Sequence, residues 1–191
     1  EDGIRIDSRP VEGWDIHEIR GTTRFEGRLS SLVAVLVDTS VAPELNDLVV
    51  ESTVVDRDRD TRYRVYAVTD LPWPLKDRDV VMQREIVQDP ATRTVTITDV
   101  AASEAVPQKD GLVRITRSSQ QWTLTPAADG SVAIELRMLS DPNGPIPAAL
   151  VNSLSIGTPF KTLSALKALA QRPPYADARL SFIQETSAAG S

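Results

Sequence analysis

Cysteine is absent from the 191-residue chain, histidine occurs once, and tryptophan, tyrosine and phenylalanine occur three times each. The lack of cysteine excludes a disulfide scaffold and metal sites built on thiolates. A single histidine excludes metal sites that need several imidazole ligands, and a Ser-His-Asp triad would have to use His17. No nucleophile motif lies near His17, so we interpret it as a surface or edge histidine. We expect neither a metal site nor a cofactor.

Long apolar runs and clusters of one charge are also missing. The longest apolar run, Leu32–Val37, is far shorter than the roughly 20 residues that a bilayer-spanning helix needs. The 21 basic residues are scattered among 27 acidic ones, for a net charge of −6, so no basic patch could neutralise phosphates. Nucleotide-binding and hydrolase motifs such as G-x-G-x-x-G and G-x-S-x-G do not occur. Nucleic acid is therefore excluded as an expected partner.

The residues that are present form a β-rich body followed by a helical end. A short helix is predicted at 29–38, a helical turn at 44–48, and a long helix at 148–171 that Gly157 and Pro159 should kink. Short connections between consecutive strands favour an antiparallel meander. Strand-like runs bounded by turn residues are predicted at 4–9, 15–24, 49–56, 61–69, 80–88, 92–100, 112–119, 120–126 and 131–139.

A large sheet and one long helix must bury their apolar faces against each other. The predicted strands are filled mainly with Val, Ile, Leu, Thr and Ala, and aromatic residues make up only 5% of the chain. Small side chains of this kind are compatible with a hollow interior. A core filled with aliphatic side chains is the alternative.

One charged residue stands on an otherwise apolar strand face. Strand alternation places Arg84 on the same face as Val80, Met82 and Ile86. If this face points inward, Arg84 must find an acid, a carbonyl or water, because an unpaired buried guanidinium costs several kcal/mol. It would then be the polar anchor of an apolar pocket. In the alternative, the side chain extends to the sheet edge or the face points outward.

Three segments carry a resemblance to a known family. They are Trp73-Pro74 followed by Arg78-Asp79, the DPNGPIP segment at 141–147, and the helix running from 149 to 163. In order and spacing, the chain resembles a START domain, the StAR-related lipid-transfer family, and most closely its stand-alone bacterial members. The resemblance implies an α+β helix-grip fold, in which a curved antiparallel sheet wraps around the C-terminal helix and encloses a hydrophobic cavity. It covers one domain at 1–175 and leaves 176–191 as an extension with a frayed end.

The resemblance also implies a non-catalytic protein that holds one lipid, such as a sterol, a phospholipid or a ceramide. The long helix would be the gate, with Gly157 and Pro159 as its hinge. Arg84 occupies the position of an arginine that often lies in the family's cavity. We expect the other cavity residues to be Tyr66, Met82, Trp122, Leu136, Phe160 and Leu163.

Some sterol-binding members pair this cavity arginine with an acid from the strand before the Trp-Pro loop. The corresponding segment here, 63–69, contains no acid. The acid would therefore come from another strand, such as Glu135, or Arg84 would be free to meet an anionic or carbonyl-bearing ligand.

Two other functions remain open at this point. One is an enzyme on a related helix-grip scaffold, similar to a polyketide cyclase or hydrolase, although the scarcity of His, Cys and Tyr speaks against it. The other is a protein-interaction module with a filled core. For the lipid-binding hypothesis we expect a monomer that makes transient contact with membrane surfaces. Because the chain begins at Glu1 and bacterial relatives often carry a signal peptide, we expect a periplasmic or secreted protein, with a cytoplasmic location as the alternative.

Overall fold

In the residues that the structure describes, a mainly antiparallel sheet is combined with three α-helices. The computed structural model describes residues 3–146 and 148–185, and residues 148–156 are described as backbone only. Its helices are α1 (Leu29–Val37), α2 (Ala42–Leu45) and α3 (Ala148–Ala170). The strands of the described chain are β1 (Arg5–Pro10), β2 (His17–Glu26), β3 (Val49–Arg59), β4 (Arg62–Thr69), β5 (Arg78–Gln88), β6 (Val95–Ala101), β7 (Val113–Arg114), β8 (Arg117–Pro126) and β9 (Ser131–Asp141).

The sheet order is β1-β2-β9-β8-β6-β5-β4-β3, and each of these neighbours is antiparallel. β7 lies off this path and pairs in parallel with the start of β5. The curved sheet packs against the C-terminal helix, which confirms the α+β helix-grip fold predicted from the sequence. The antiparallel meander expected from the short turns is present from β3 to β6.

The predicted division into strands at 112–119 and 120–126 is wrong. Residues 117–126 form one uninterrupted strand, because β8 pairs with β9 without a break from Arg117 to Pro126. Arg114 belongs to the separate β7, where its guanidinium is drawn to the buried carboxylate of Asp79.

The helix predicted at 29–38 is confirmed as α1, and it is buried from Leu29 to Leu36. Complete burial explains why this helix is apolar on nearly every side. A 3₁₀ turn at Thr39–Val41 links α1 to α2, which begins two residues before the predicted helical turn. α3 continues through Pro159 to Ala170.

Among the side chains that the structure describes, those of the helices fill one half of the inner sheet face. There the side chains of Phe25, Leu124 and Ile134 pack with α1 and with the second half of α3, including Leu163 and Leu166. The contact between α3 and β2 is close because Gly21 has no side chain. A Cβ at this position would lie 2.7 Å from Leu163 Cδ1. The described helix side chains fill the other half of the inner face less completely.

The segment that follows α3 packs onto the fold up to residue 185. Tyr175 and Ile183 are buried in the main core. The N-cap residue of α1, Arg28, makes no capping hydrogen bond with its side chain, and Glu185 replaces it. The Glu185 carboxylate accepts hydrogen bonds from the N–H groups of Leu29 at 3.2 Å and Ser30 at 2.8 Å. These are free amides at the positive end of the helix dipole, so the contact is favourable.

Part of the extension proposed at 176–191 is thus tied to α1, and its expected frayed end, 187–191, lies outside the described residues. None of the described helices has the combination of length and hydropathy that a bilayer crossing requires.

Candidate functional site

A cavity of about 390 Å³ occupies the less completely filled half of the inner sheet face. It is lined by strands β2, β3, β4, β5, β6, β8 and β9, by the connection from α1 to β3, and by the middle of α3, and it is partly open to solvent. Its volume is within the range of pockets that hold one small organic ligand. The structure therefore contains a hollow interior at the place where the sequence allowed either a cavity or a filled core.

The cavity wall is mainly apolar. Part of its aliphatic lining comes from strands that point alternate residues inward, and the rest comes from α1, α2 and the connecting segments. The apolar lining includes Ile19, Leu36, Leu45, Val49, Val65, Ala67, Leu71, Val80, Met82, Ile115, Met138 and Ile146.

Arg84 and Asp99 form a buried ion pair on the cavity floor. Arg84 Nε donates to Asp99 Oδ1 at 2.7 Å, and Nη2 donates to Oδ2 at 2.8 Å. A third donor, Nη1, reaches the carbonyl of Leu36 at the end of α1, at 2.6 Å. The side chains are only 11% and 5% exposed, so both charges are removed from water. The bidentate geometry is the arrangement that best offsets this cost.

Burial disfavours the charged form of Arg84, but the charge and hydrogen bonds of Asp99 outweigh it and raise the pKa of the guanidinium. The arginine is therefore always a cation, and its charge is balanced within the protein.

The sequence left two possibilities for Arg84, an acid from another strand or no protein counter-ion. The first is correct, but the prediction that Glu135 is this acid is wrong, since the acid is Asp99 of β6. Glu135 lies on the opposite face of the sheet, because its neighbours Ile134 and Leu136 point inward. It accepts hydrogen bonds from Arg20 Nε at 2.8 Å and Arg137 Nε at 2.7 Å. Strand alternation in β6 marks Asp99 as an inward-facing acid, since it shares its face with Val95 and Ile97, but only the register with β5 places it opposite Arg84.

The structure brings some of the predicted cavity residues together. Arg84, Met82, Trp122 and Pro159 line the cavity. Leu136 and Leu163 are buried in the filled half of the core instead, next to α1 and α3. Phe160 is half-buried and Gly157 is exposed, and neither belongs to the described cavity lining.

Tyr66 lies on the other side of the sheet. In β4 the residues that face the cavity are Val65, Ala67 and Thr69, so the assumed strand phase was displaced by one residue. The Tyr66 hydroxyl donates to Asp79 at 3.2 Å, outside the cavity. Ligand contact by the proposed residues stays a prediction.

The motifs that carry the family resemblance meet at the cavity rim. Arg78 donates to the carbonyls of Pro142 at 3.0 Å and Asn143 at 2.9 Å. Asp79 is fully buried and accepts from Arg114 Nε at 2.9 Å and Nη2 at 2.8 Å. The Arg78 contacts join the start of β5 to the β9–α3 connection, and the Asp79–Arg114 ion pair joins β5 to β7. Their role in this chain is to hold the rim together.

A second polar contact closes the rim near α1. Asp38 lines the cavity and accepts hydrogen bonds from the Tyr175 hydroxyl at 2.7 Å and the Ser40 N–H at 2.9 Å. Burial opposes ionisation of Asp38, but the hydrogen bonds from Ser40 and Tyr175 outweigh it and lower the pKa of the carboxyl. Burial and the bond to Asp38 raise the pKa of Tyr175 to about 12.

No group of three or more His, Cys, Asp or Glu side chains that could hold a metal ion is found within residues 3–146 and 148–185.

A family model and a solved structure of a related protein indicate the same family for this chain. The family model of the START domain matches residues 33–174. The crystal structure of the STAR-related lipid transfer protein from Xanthomonas axonopodis is 31% identical, with a TM-score of 0.81 over 90% of this chain and 96% of that chain. An uncharacterized protein of Pseudomonas aeruginosa is 25% identical over 90% of this chain and 84% of its own length.

More distant structures share the fold alone. Human STARD10 is 21% identical, with a TM-score of 0.78 over 91% of this chain and 71% of that chain. An aromatase/cyclase from a Streptomyces species is 11% identical, with a TM-score of 0.56 over 81% of this chain and 93% of that chain.

The buried ion pair leads to a first prediction. Asp99→Asn leaves the Arg84 guanidinium buried without a counter-charge, so the free energy of unfolding should fall by about 3–5 kcal/mol. Replacing both partners, Arg84→Met with Asp99→Leu, should recover most of that loss. Urea unfolding measures both effects. Asp58→Asn, which removes an exposed partner of Arg59, is the matched control and should change stability little. A loss below about 1 kcal/mol for Asp99→Asn would contradict the described pair.

The Tyr175–Asp38 contact leads to a pH prediction. The folded state raises the Tyr175 pKa from 10.0 to about 12, so it favours the neutral phenol. The associated stability should be complete below pH 10 and should be lost as the pH rises to about 12, by up to roughly 2–3 kcal/mol. Tyr175→Phe lacks this group and should lose less stability over the same interval. Equal alkaline losses for both proteins in urea unfolding would refute the contact.

Proposed function

The chain belongs to the START domain family, and on that premise we propose that it binds one lipid-like molecule in the described cavity without converting it chemically. The observation that carries the proposal is the predominantly apolar cavity of about 390 Å³ with the Arg84–Asp99 ion pair on its floor. A ligand gains about 25 cal/mol for each Å² of apolar surface that leaves water. Affinity would therefore come from burial, and orientation would come from the few polar groups.

Non-catalytic binding is favoured by the state of the titratable groups that line the cavity. The titratable side chains in the described lining are His17, Asp38, Arg84 and Asp99. The last three already hydrogen-bond protein partners. A general acid or base needs a proton that it can exchange with a substrate, and groups held in this way are poorly suited to that role. The likeness to the aromatase/cyclase is a likeness of fold, which does not determine function.

Gating by α3 is a further part of the proposal. Thr158 and Pro159 line the cavity next to Gly157, and the neighbouring Lys161 forms an exposed ion pair with Asp47 at 2.7 Å, beyond α2. Motion of this part of α3 would open the cavity without breaking the core around Leu163 and Leu166. That Gly157 and Pro159 form the hinge for this motion stays a prediction.

Transient contact with a membrane belongs to the same proposal. Trp73, in the β4–β5 loop beside the rim, is 93% exposed. Such exposure of an indole is unfavourable in water and suits the membrane interface, where tryptophan is enriched. The monomeric state and the periplasmic or secreted location also stay predictions.

Blocking the cavity tests the proposed function. Ala67 points into the cavity from β4, so Ala67→Phe should fill part of it and weaken binding of the neutral fluorescent dye Nile red by at least about tenfold. Val100 is 48% exposed outside the cavity lining, and Val100→Phe should leave binding unchanged. Fluorescence titration measures both variants. Undiminished dye binding by a folded Ala67→Phe protein would count against the cavity as the binding site.

Membrane contact has its own test. Trp73→Ala should weaken cosedimentation with phosphatidylcholine vesicles roughly tenfold, because an aromatic side chain no longer leaves water. Val87→Ala removes a side chain that is 56% exposed on β5 and is the control. Since the net charge is −6, vesicles that also contain anionic phosphatidylglycerol should bind the wild-type protein more weakly than pure phosphatidylcholine vesicles do. Equal binding by wild type and Trp73→Ala would exclude this loop as the contact.

A further inference from the structure

A row of inward-facing residues crosses five strands on the cavity floor. The register pairs Tyr63 with Arg84, Arg84 with Asp99, Asp99 with Gln120, and Gln120 with Met138. Side chains directly opposite each other on neighbouring strands have Cβ atoms about 4.5–5.5 Å apart. Gln120 therefore lies beside the Arg84–Asp99 ion pair. No sequence motif had singled it out.

Gln120 differs from other glutamines of the sheet in having no hydrogen-bond partner within the described part of the chain. Gln83 donates to the Tyr63 carbonyl at 3.1 Å and Gln88 donates to the Arg93 carbonyl at 3.0 Å. Gln120 is half-buried and lines the cavity. Its carboxamide offers both a donor and an acceptor to the cavity interior.

The charged groups around Gln120 are already bonded to protein partners without a ligand. Arg84 is paired with Asp99, and Asp38 is bonded to Tyr175 and Ser40. Among the cavity-lining residues that the structure describes, no Lys or Arg is left without an acid. An anionic headgroup would therefore lose its hydration while facing two carboxylates and no free cation, which is strongly unfavourable.

A neutral polar group is better matched to this floor. Arg84 uses three of its five N–H groups in the described contacts, so two remain for an acceptor. Ser118 and Ser140, which pair across β8 and β9, continue the polar lining beyond Gln120. A hydroxyl or carbonyl oxygen on the ligand can bond here without bringing a charge out of water.

We propose that Gln120 binds the polar end of the ligand beside the closed Arg84–Asp99 pair, and that the cavity selects an uncharged ligand with a hydroxyl or carbonyl group over an anionic one. This inference rests on the proposed function and narrows its substrate class.

The test uses three probes with the same chain and different ends: dodecanol, dodecanoate and dodecane. Each displaces Nile red from the full chain at pH 8, where dodecanoate is ionised. Wild type should bind dodecanol at least about tenfold more tightly than dodecanoate. Gln120→Leu should weaken dodecanol about three- to tenfold, because one hydrogen bond is lost, and should leave dodecane unchanged or tighter. Gln120→Met is a second variant of similar length, should Gln120→Leu fold poorly.

Gln121 lies on β8 next to Gln120 but outside the cavity lining, where it bonds Thr123, so Gln121→Leu should leave all three affinities unchanged. Dodecanoate binding as tight as dodecanol binding would overturn the inference. An unchanged ratio of dodecanol to dodecane affinity in both Gln120 variants would also overturn it. In either case Nile red and dodecane would still bind, and the proposed function would stand. If neither binds, the proposed function fails and this inference fails with it.

Discussion

The ion pair between Arg84 and Asp99 is the constraint on which the rest of the site depends. Both charges are buried, and the free-energy cost of removing each from water is offset by its attraction to the other. Since Arg84 also donates to the Leu36 carbonyl, the pair connects β5 and β6 to the end of α1. The residues after α1, including Asp38 and Leu45, form one wall of the cavity. The pair therefore determines both the position of this wall and the polarity of the floor.

The cavity exists because the helices fill the sheet unequally. α1 and the second half of α3 cover one end, where large buried side chains such as Phe25 and Leu163 belong to one packed cluster. At the other end the inward positions hold short side chains, such as Ala67 and Val80, below the middle of α3. The rim contacts of Arg78 and Asp38 with neighbouring segments support this less filled half. A stable core and an open site thus occupy the two ends of a single sheet.

Local patterns were sufficient to predict most elements and the inward face of β5 that carries Met82 and Arg84, since periodicity is a property of neighbouring residues. They were insufficient where contacts with residues distant in the sequence determine which way a side chain points or what it pairs with. Tyr66 was assigned to the cavity because strand phase needs the cross-strand register, which only the folded sheet defines. The same holds for Asp99 as the counter-ion of Arg84 and for Gln120 beside it. The cap that Glu185 provides to α1 joins residues 155 positions apart, and no short-range signal predicts it.

Whether the chain holds one neutral lipid is tested by native mass spectrometry of the purified full chain, followed by identification of what copurifies. We expect one bound molecule per chain, largely apolar and uncharged, with a hydroxyl or carbonyl group. An anionic lipid, such as a fatty acid or a phosphatidylglycerol, as the copurified species would contradict the proposed role of the ion pair. A chain that carries nothing and binds no hydroxyl-bearing lipid in a saturable way would contradict the proposed function as a whole.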